Sequence, residues 1–194
     1  MGTNQTLLVV ILFLTGVIFS VGALFYRIAA IQRIDSLFFN YLYTKLTRTV
    51  PLFRFIWPLG KTPFLIIVLT LLLLSGGTNG LYAVTIYIVI ACIERLFKLT
   101  MGRERPFSVL PDVKVFQSKK PLDPSHPSGD TMRVWYLSFV VPAVFFLPVS
   151  FVVFFCGLAS LVSLGRIVLG VHFPLDVIGG MGLGLFGAGL FIFI

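Results

Sequence analysis

Charge is scarce in this chain. Only 11% of its 194 residues are Asp, Glu, Lys or Arg, against about a quarter in an ordinary soluble domain. That deficit places the chain in the membrane class before any motif is read. Acid is scarcer still: seven Asp and Glu stand against fifteen Lys and Arg, a formal charge of +8. Cysteine is nearly absent. Cys92 and Cys156 both lie inside apolar runs, which argues for small buried hydrophobes and against a disulfide or a metal centre. Residues 1–6 carry no positive charge, and the apolar run that follows is too long for a signal core, so no cleavable signal peptide is expected.

What is present is hydrocarbon. The chain is 58% hydrophobic, with 21 Phe and a mean hydropathy of +1.03. A helix needs about 20 apolar residues to cross a bilayer. Six runs approach that length, at roughly 6–30, 62–77, 79–99, 130–147, 149–170 and 174–194. Gly-rich residues 75–80 separate the second from the third, and Leu147-Pro148-Val149-Ser150 separates the fourth from the fifth. Two polar segments remain. Residues 31–61 mix Arg and Lys with aromatics and read as an amphipathic helix lying in the membrane interface. Residues 100–129 are rich in Pro, Lys and Arg. The expectation is an all-α polytopic membrane protein: one domain, 1–194, forming a six-helix bundle with an interfacial amphipathic helix. In that layout every charged residue falls on one side, and the excess of cation suits an anionic partner.

The polar residues gather at three places: Lys98 to Pro106, Ser125 to Asp130, and Gly165-Arg166 with His172 and Asp176. Together they make sense as one phosphate site. Lys98, Arg105 and Arg166 supply positive charge, arginine through a planar fork of donors. Ser128 and Gly129 stand where a helix begins, and its free N–H groups and dipole favour an anion. His172 is able to attack phosphorus as a neutral imidazole. Asp176, four residues on, can orient it. Gly182 to Gly187 spells a dinucleotide fingerprint, but no strand precedes it. Gly180, Gly184 and Gly187 suit close helix packing instead.

These spacings resemble the type 2 phosphatidic acid phosphatase (PAP2) superfamily. Its first motif, Lys, six residues, Arg-Pro, fits Lys98 and Arg105-Pro106. Its second, Pro-Ser-Gly-His, fits Pro127-Ser128-Gly129, with Asp130 in place of the histidine. Its third, Ser-Arg, five residues, His, three residues, Asp, fits Arg166, His172 and Asp176, with Gly165 for the serine. The resemblance implies a membrane lipid phosphatase with its phosphate site across about 95–180. It implies a phosphohistidine at His172, a cradle of Lys98, Arg105, Ser128, Gly129 and Arg166, and no metal or other cofactor. The implied partners are the bilayer and a lipid phosphate or diphosphate of the polyprenyl diphosphate, phosphatidic acid, phosphatidylglycerol phosphate or lipid A type, with no nucleic acid.

Asp130 is the departure that matters. It stands where the family's histidine gives a proton to the leaving group and later activates water. Three readings follow: a working acid/base, a residue tolerated because a diphosphate's leaving group needs little protonation, or weakened turnover. His126, four residues earlier, would pair with Asp130 as His172 pairs with Asp176, or stand as a plain loop histidine. Two His–Asp pairs also suggest a metal site, but the surrounding Lys and Arg would repel a cation. Arg103, Lys114, Lys119 and Lys120 are expected to be solvated or to touch headgroups. A phosphotransferase on the same site, or a noncatalytic lipid-binding or transport protein, are the competing functions. The charged face is expected outside the cytoplasm in the cell membrane, as the resemblance implies, although the positive-inside tendency points the other way.

Overall fold

The computed structural model describes residues 3–194, with side chains from Thr6 onward; Met1 and Gly2, at the head of the uncharged N-terminal stretch, lie outside the described residues. All regular structure among the described residues is helical. The α-helices are α1 Thr3–Leu24, α2 Ala29–Leu46, α3 Val50–Ile56, α4 Thr62–Ser75, α5 Gly77–Met101, α6 Pro106–Val109, α7 Gly129–Val144, α8 Val149–Val168 and α9 Pro174–Phe193.

The bundle is organised around α7, which is buried on nearly every face from Gly129 to Val144. A helix apolar all round belongs inside a bundle. It packs against α8, α9 and α5, and Tyr136 donates to the Ala83 carbonyl of α5 at 2.6 Å. The most extensive pairing joins α1 to α9, and glycine sets its closeness. A Cβ on Gly182 would stand 2.6 Å from the Ser20 amide nitrogen, and one on Gly184 would stand 2.6 Å from the Met132 carbonyl of α7. The Gly-rich run of α9 therefore serves backbone approach on two sides, as small residues do between membrane helices.

The six runs are not six equal spans. Four stretches, Thr6–Arg27, Gly77–Val109, Val149–Val168 and Pro174–Phe193, are long and apolar enough to cross a membrane, and a fifth arises if the bent pair Ala29–Gly60 and Thr62–Ser75 counts as one. The helix of run 62–77 has 14 residues, and α7 has 16, about 24 Å at 1.5 Å per residue. α7 runs through Pro142 and stops at Val144, just before Phe146, whose φ is 51°.

Residues 29–60 stay helical throughout but are not one regular α-helix: α2 passes through a 3-10 turn at Thr47–Thr49 into α3, and α3 into another at Trp57–Gly60, with proline near the start of α3 and of that last turn. Nor is the segment only a surface element. Phe39 of α2 is fully buried against Phe173, with ring centroids 5.3 Å apart, and Phe53 of α3 packs with Val168 and Leu169. α1, α5 and α8 end, and α4, α7 and α9 begin, at the same polar end of the bundle, where buried ion pairs tie them together.

Candidate active site

His172 lies in the turn between α8 and α9, its backbone N–H on the Arg166 carbonyl at 3.3 Å. Gly170 permits the turn: its φ is 78°, and a Cβ there would meet the Lys114 carbonyl at 2.5 Å. The imidazole is buried. Its Nε2 stands 3.1 Å from Arg105 Nη1. A guanidinium only donates, so Nε2 accepts and the ring proton sits on Nδ1. Nδ1 faces Ser125 Oγ at 3.4 Å and Asp176 Oδ2 at 3.7 Å. Burial, then Arg105 and Arg166, push the imidazole pKa down to about 3 against the opposing pull of Asp176. His172 is thus neutral at physiological pH, with its lone pair turned toward a cation.

Asp176, on the first turn of α9, is the hub. Its Oδ2 accepts from Ser125 Oγ at 2.5 Å and from the Phe173 amide at 2.8 Å. Its Oδ1 accepts from Arg103 Nη1 at 2.7 Å. Arg103 also grips Asp35 Oδ2 of α2 at 2.5 Å, while Asp35 Oδ1 accepts the Leu175 N–H at the start of α9. The guanidinium lies between the Tyr26 and Phe173 rings, 4.7 and 4.5 Å from their centroids. Arg103 is only 7% exposed, so the expectation that it is solvated is overturned. Two buried carboxylates and two aromatic faces make this a structural cation.

The first-motif cations converge on a residue no motif marks. Gly102, in the left-handed conformation, stops α5 with its N–H on the Lys98 carbonyl, and the chain turns toward Arg105. Asp123, in the following loop, accepts from Arg105 Nη2 at 2.9 Å and from Lys98 Nζ. Lys98 also holds Glu94 at 2.8 Å. Burial alone would raise the Asp123 carboxyl, but Lys98 and Arg105 hold it well below the usual range. An ionised, partly exposed carboxylate therefore occupies the cation pair that the resemblance assigns to phosphate.

Ser128 begins α7, with its N–H on the Asp176 carbonyl at 2.9 Å. A Cβ on Gly129 would come within 2.7 Å of Glu94 Oε1, so a larger residue there would push the Glu94 carboxylate aside. Asp130 points into a second cluster of cations: Lys61 at 2.9 Å, and Arg133 and Arg166 each at 3.2 Å. Arg166 is buried and also donates to Gln117, while its Nε has no partner among the described residues. Gly165 stands where the family motif has a serine, and a Cβ there would lie 3.0 Å from the Phe53 ring.

The expected His126–Asp130 couple does not form. His126 follows the other side of the turn, its Nδ1 3.4 Å from Asp176 Oδ1 and its ring stacked on Tyr26. Asp130 spends its oxygens on three cations instead. No group of three or more His, Cys, Asp or Glu suited to a metal occurs among the described residues.

Arg103, Asp35 and Asp123 are the residues that motif reading missed, and Ser125 it noted without a role. One signal could have found them. Of seven acids in the chain, Asp35, Glu94, Asp123, Asp130 and Asp176 all lie in these pairs. In so apolar a chain, each acid is costly and merits a partner.

The chain belongs to the PAP2 superfamily, which matches residues 79–194. It is 31% identical over 113 residues to the bacitracin transport permease protein BcrC of Bacillus licheniformis, across 58% of this chain and 53% of that one. The chain thus spans about half the length of that curated relative. Its fold is similar to the crystal structure of a transmembrane PAP2-type phosphatidylglycerolphosphate phosphatase from Bacillus subtilis, with TM-score 0.71 and 24% identity, covering 94% of this chain and 93% of that one. It is also similar to LpxE of Aquifex aeolicus, with TM-score 0.68 and 23% identity, covering 83% and 96%.

Proposed function

We propose that this integral membrane protein hydrolyses a lipid phosphate or diphosphate through a phosphohistidine at His172. The observation that carries the reading is the buried neutral imidazole whose Nε2 lone pair meets Arg105 at 3.1 Å. An arriving phosphoryl group takes over Arg105 and Lys98 from Asp123, and Arg105 releases the His172 lone pair as it turns to a phosphoryl oxygen. Nε2 attacks phosphorus and the bond to the leaving oxygen breaks. The imidazolium proton at Nδ1 faces Ser125 Oγ, which is itself bonded to Asp176, and the carboxylate stabilises the charge as it forms. Arg166, with a donor to spare, adds to the transition-state cradle. Water then attacks phosphorus, the N–P bond breaks, and free phosphate leaves.

The lipid character of the substrate is supported by a cavity of about 230 Å³ between α4, α7 and α8, lined by Leu59, Phe64, Leu137, Val141, Phe155 and Val162 among others. Its upper wall includes Leu59, Val134 and Val162, which adjoin Gly60-Lys61, Arg133 and the Arg166 turn. A hydrocarbon tail lying there would put the phosphate ester at the Asp130 end of the site. We read α4 and α7 as crossing with the four long helices, giving six spans, with α2 and α3 in the interface and the site on the extracytoplasmic face.

The test is phosphate release in detergent or vesicles from phosphatidic acid, phosphatidylglycerol phosphate and a polyprenyl diphosphate. The wild type releases phosphate from at least one. His172→Ala loses essentially all of it, and acid-labile phosphate label on the protein disappears with it. Full activity in His172→Ala would overturn the mechanism.

A further inference from the structure

We propose that Lys61 is the group that protonates the leaving oxygen and then takes a proton from the attacking water, with Asp130 as its fixed counter-ion. This rests on the phosphohistidine reading above. Asp130 stands in the place where the family pattern has a histidine. A general acid must hold a proton to give away. Asp130 Oδ2 has Lys61 at 2.9 Å and Arg166 at 3.2 Å, and its Oδ1 has Arg133 at 3.2 Å. A carboxylate facing three cations is held in its ionised form, so it has no proton to donate.

Of the three cations paired with it, Lys61 alone readily exchanges a proton. Arg133 and Arg166 stay protonated under all ordinary conditions, whereas a partly buried lysine titrates readily. His126 is turned away, under Tyr26 and against Asp176. Lys61 stands just before α4, its ammonium 4.5 Å over the Trp57 ring and its side chain 28% exposed. The groups that face it are Asp130 and Arg133 of α7 and Arg166 of α8. Burial first, then Arg166, pushes its pKa down, which eases proton release.

Position supports the assignment as well as chemistry. Leu59, two residues before Lys61, lines the apolar cavity, and so do Val134 and Val162. Gly60 presses on Asp130, where a Cβ would stand 3.0 Å from the Asp130 Cβ and 3.2 Å from Val162. Lys61 thus adjoins the cavity lining and pairs with Asp130 at 2.9 Å, and in this reading the oxygen joining tail to phosphorus lies beside it. In the first step the His172 Nε2–P bond forms, the P–O bond to the lipid breaks, and the Lys61 proton passes to the lipid oxygen. The neutral amine remains beside Asp130. In the second step the amine takes a proton from water as the new P–O bond forms and the N–P bond breaks, which restores the ammonium.

The test is the dependence on the leaving group. Lys61→Arg keeps the charge beside Asp130 but cannot act as an acid. Phosphatidic acid needs its departing alkoxide protonated, whereas diacylglycerol pyrophosphate releases phosphatidic acid as an anion that needs little help. Lys61→Arg is expected to lower the ratio of the monoester rate to the diphosphate rate by about 100-fold, the usual scale of general acid catalysis. Lys61→Ala should regain monoester activity with added ethylamine. An unchanged ratio, whether both rates hold or both collapse together, would overturn the proposal. His172→Ala in the same assays keeps the two readings apart: if it retains both activities, the nucleophile is misassigned, whatever Lys61 does.

Discussion

Asp176 accepts hydrogen bonds from Arg103, Ser125 and the Phe173 amide, and two imidazoles stand against it. Removing Asp176 would strip His172 of its orienting partner, so it cannot separate structure from chemistry. Arg103 can. It touches no catalytic atom except through Asp176, and it neutralises Asp35 as well. Arg103→Met keeps most of the volume between Tyr26 and Phe173 but leaves two buried carboxylates without their cation. Breaking a buried pair from one side costs about 3–5 kcal/mol. The expected outcome is a marked fall in melting temperature in detergent, partly recovered in Arg103→Met with Asp35→Asn. An unshifted melting curve would show that Arg103 is not structural. His172, Asp176, Lys98 and Arg105 were legible in the sequence because each sits at a fixed spacing within one turn or segment. Arg103–Asp35 and Asp35–Leu175 were not, because those bonds join residues 68 and 140 positions apart. Spacing carries no trace of such contacts; only the rarity of acid hints at them.

At the scale of elements, hydropathy gave the long helices and failed where packing decides. α7 needs no full membrane length of its own apolar surface, because neighbouring helices bury it on nearly every face. The segment 31–61 was expected to be one amphipathic helix; it is helical through residue 60, but 3-10 turns at Thr47–Thr49 and Trp57–Gly60 interrupt its α geometry, and a periodic polar pattern does not register them. Glycine in α9 was legible as a packing signal, and its partners were not. Gly182 meets backbone of α1 at 2.6 and 2.8 Å, whereas Gly157 of α8 has nothing within 4 Å of its Cβ position. Gly182→Leu is therefore expected to force α1 off α9, costing about 1–3 kcal/mol or more as overpacked cores do, and to lower both yield and melting temperature. Gly157→Ala should match or exceed the parent, since alanine favours a helix over glycine by about 1 kcal/mol. Equal behaviour of the two variants would remove the close approach as the reason for glycine in α9.

For the whole molecule, the polar end and the direction it faces are separate questions. Lys61, Lys98, Arg103, Arg105, Arg133 and Arg166 are all bound to carboxylates in the folded protein. Their charge belongs to the site and its supports, and it speaks weakly for orientation. The rest of the cations, such as Arg33, Arg48, Lys114, Lys119 and Lys120, still favour a cytoplasmic polar face by the positive-inside tendency. Our reading places that face outside the cytoplasm, where the family resemblance puts it. Single cysteines resolve the conflict once Cys92 and Cys156 have been replaced by alanine. Ser75 closes α4 at the uncharged end, and Lys119 is exposed in the loop beside Asp123. With a membrane-impermeant maleimide on intact cells, Lys119→Cys should be labelled at once and Ser75→Cys only after the membrane is opened. The reverse pattern would move the site to the cytoplasmic face, and the substrate would then have to be presented in the inner leaflet.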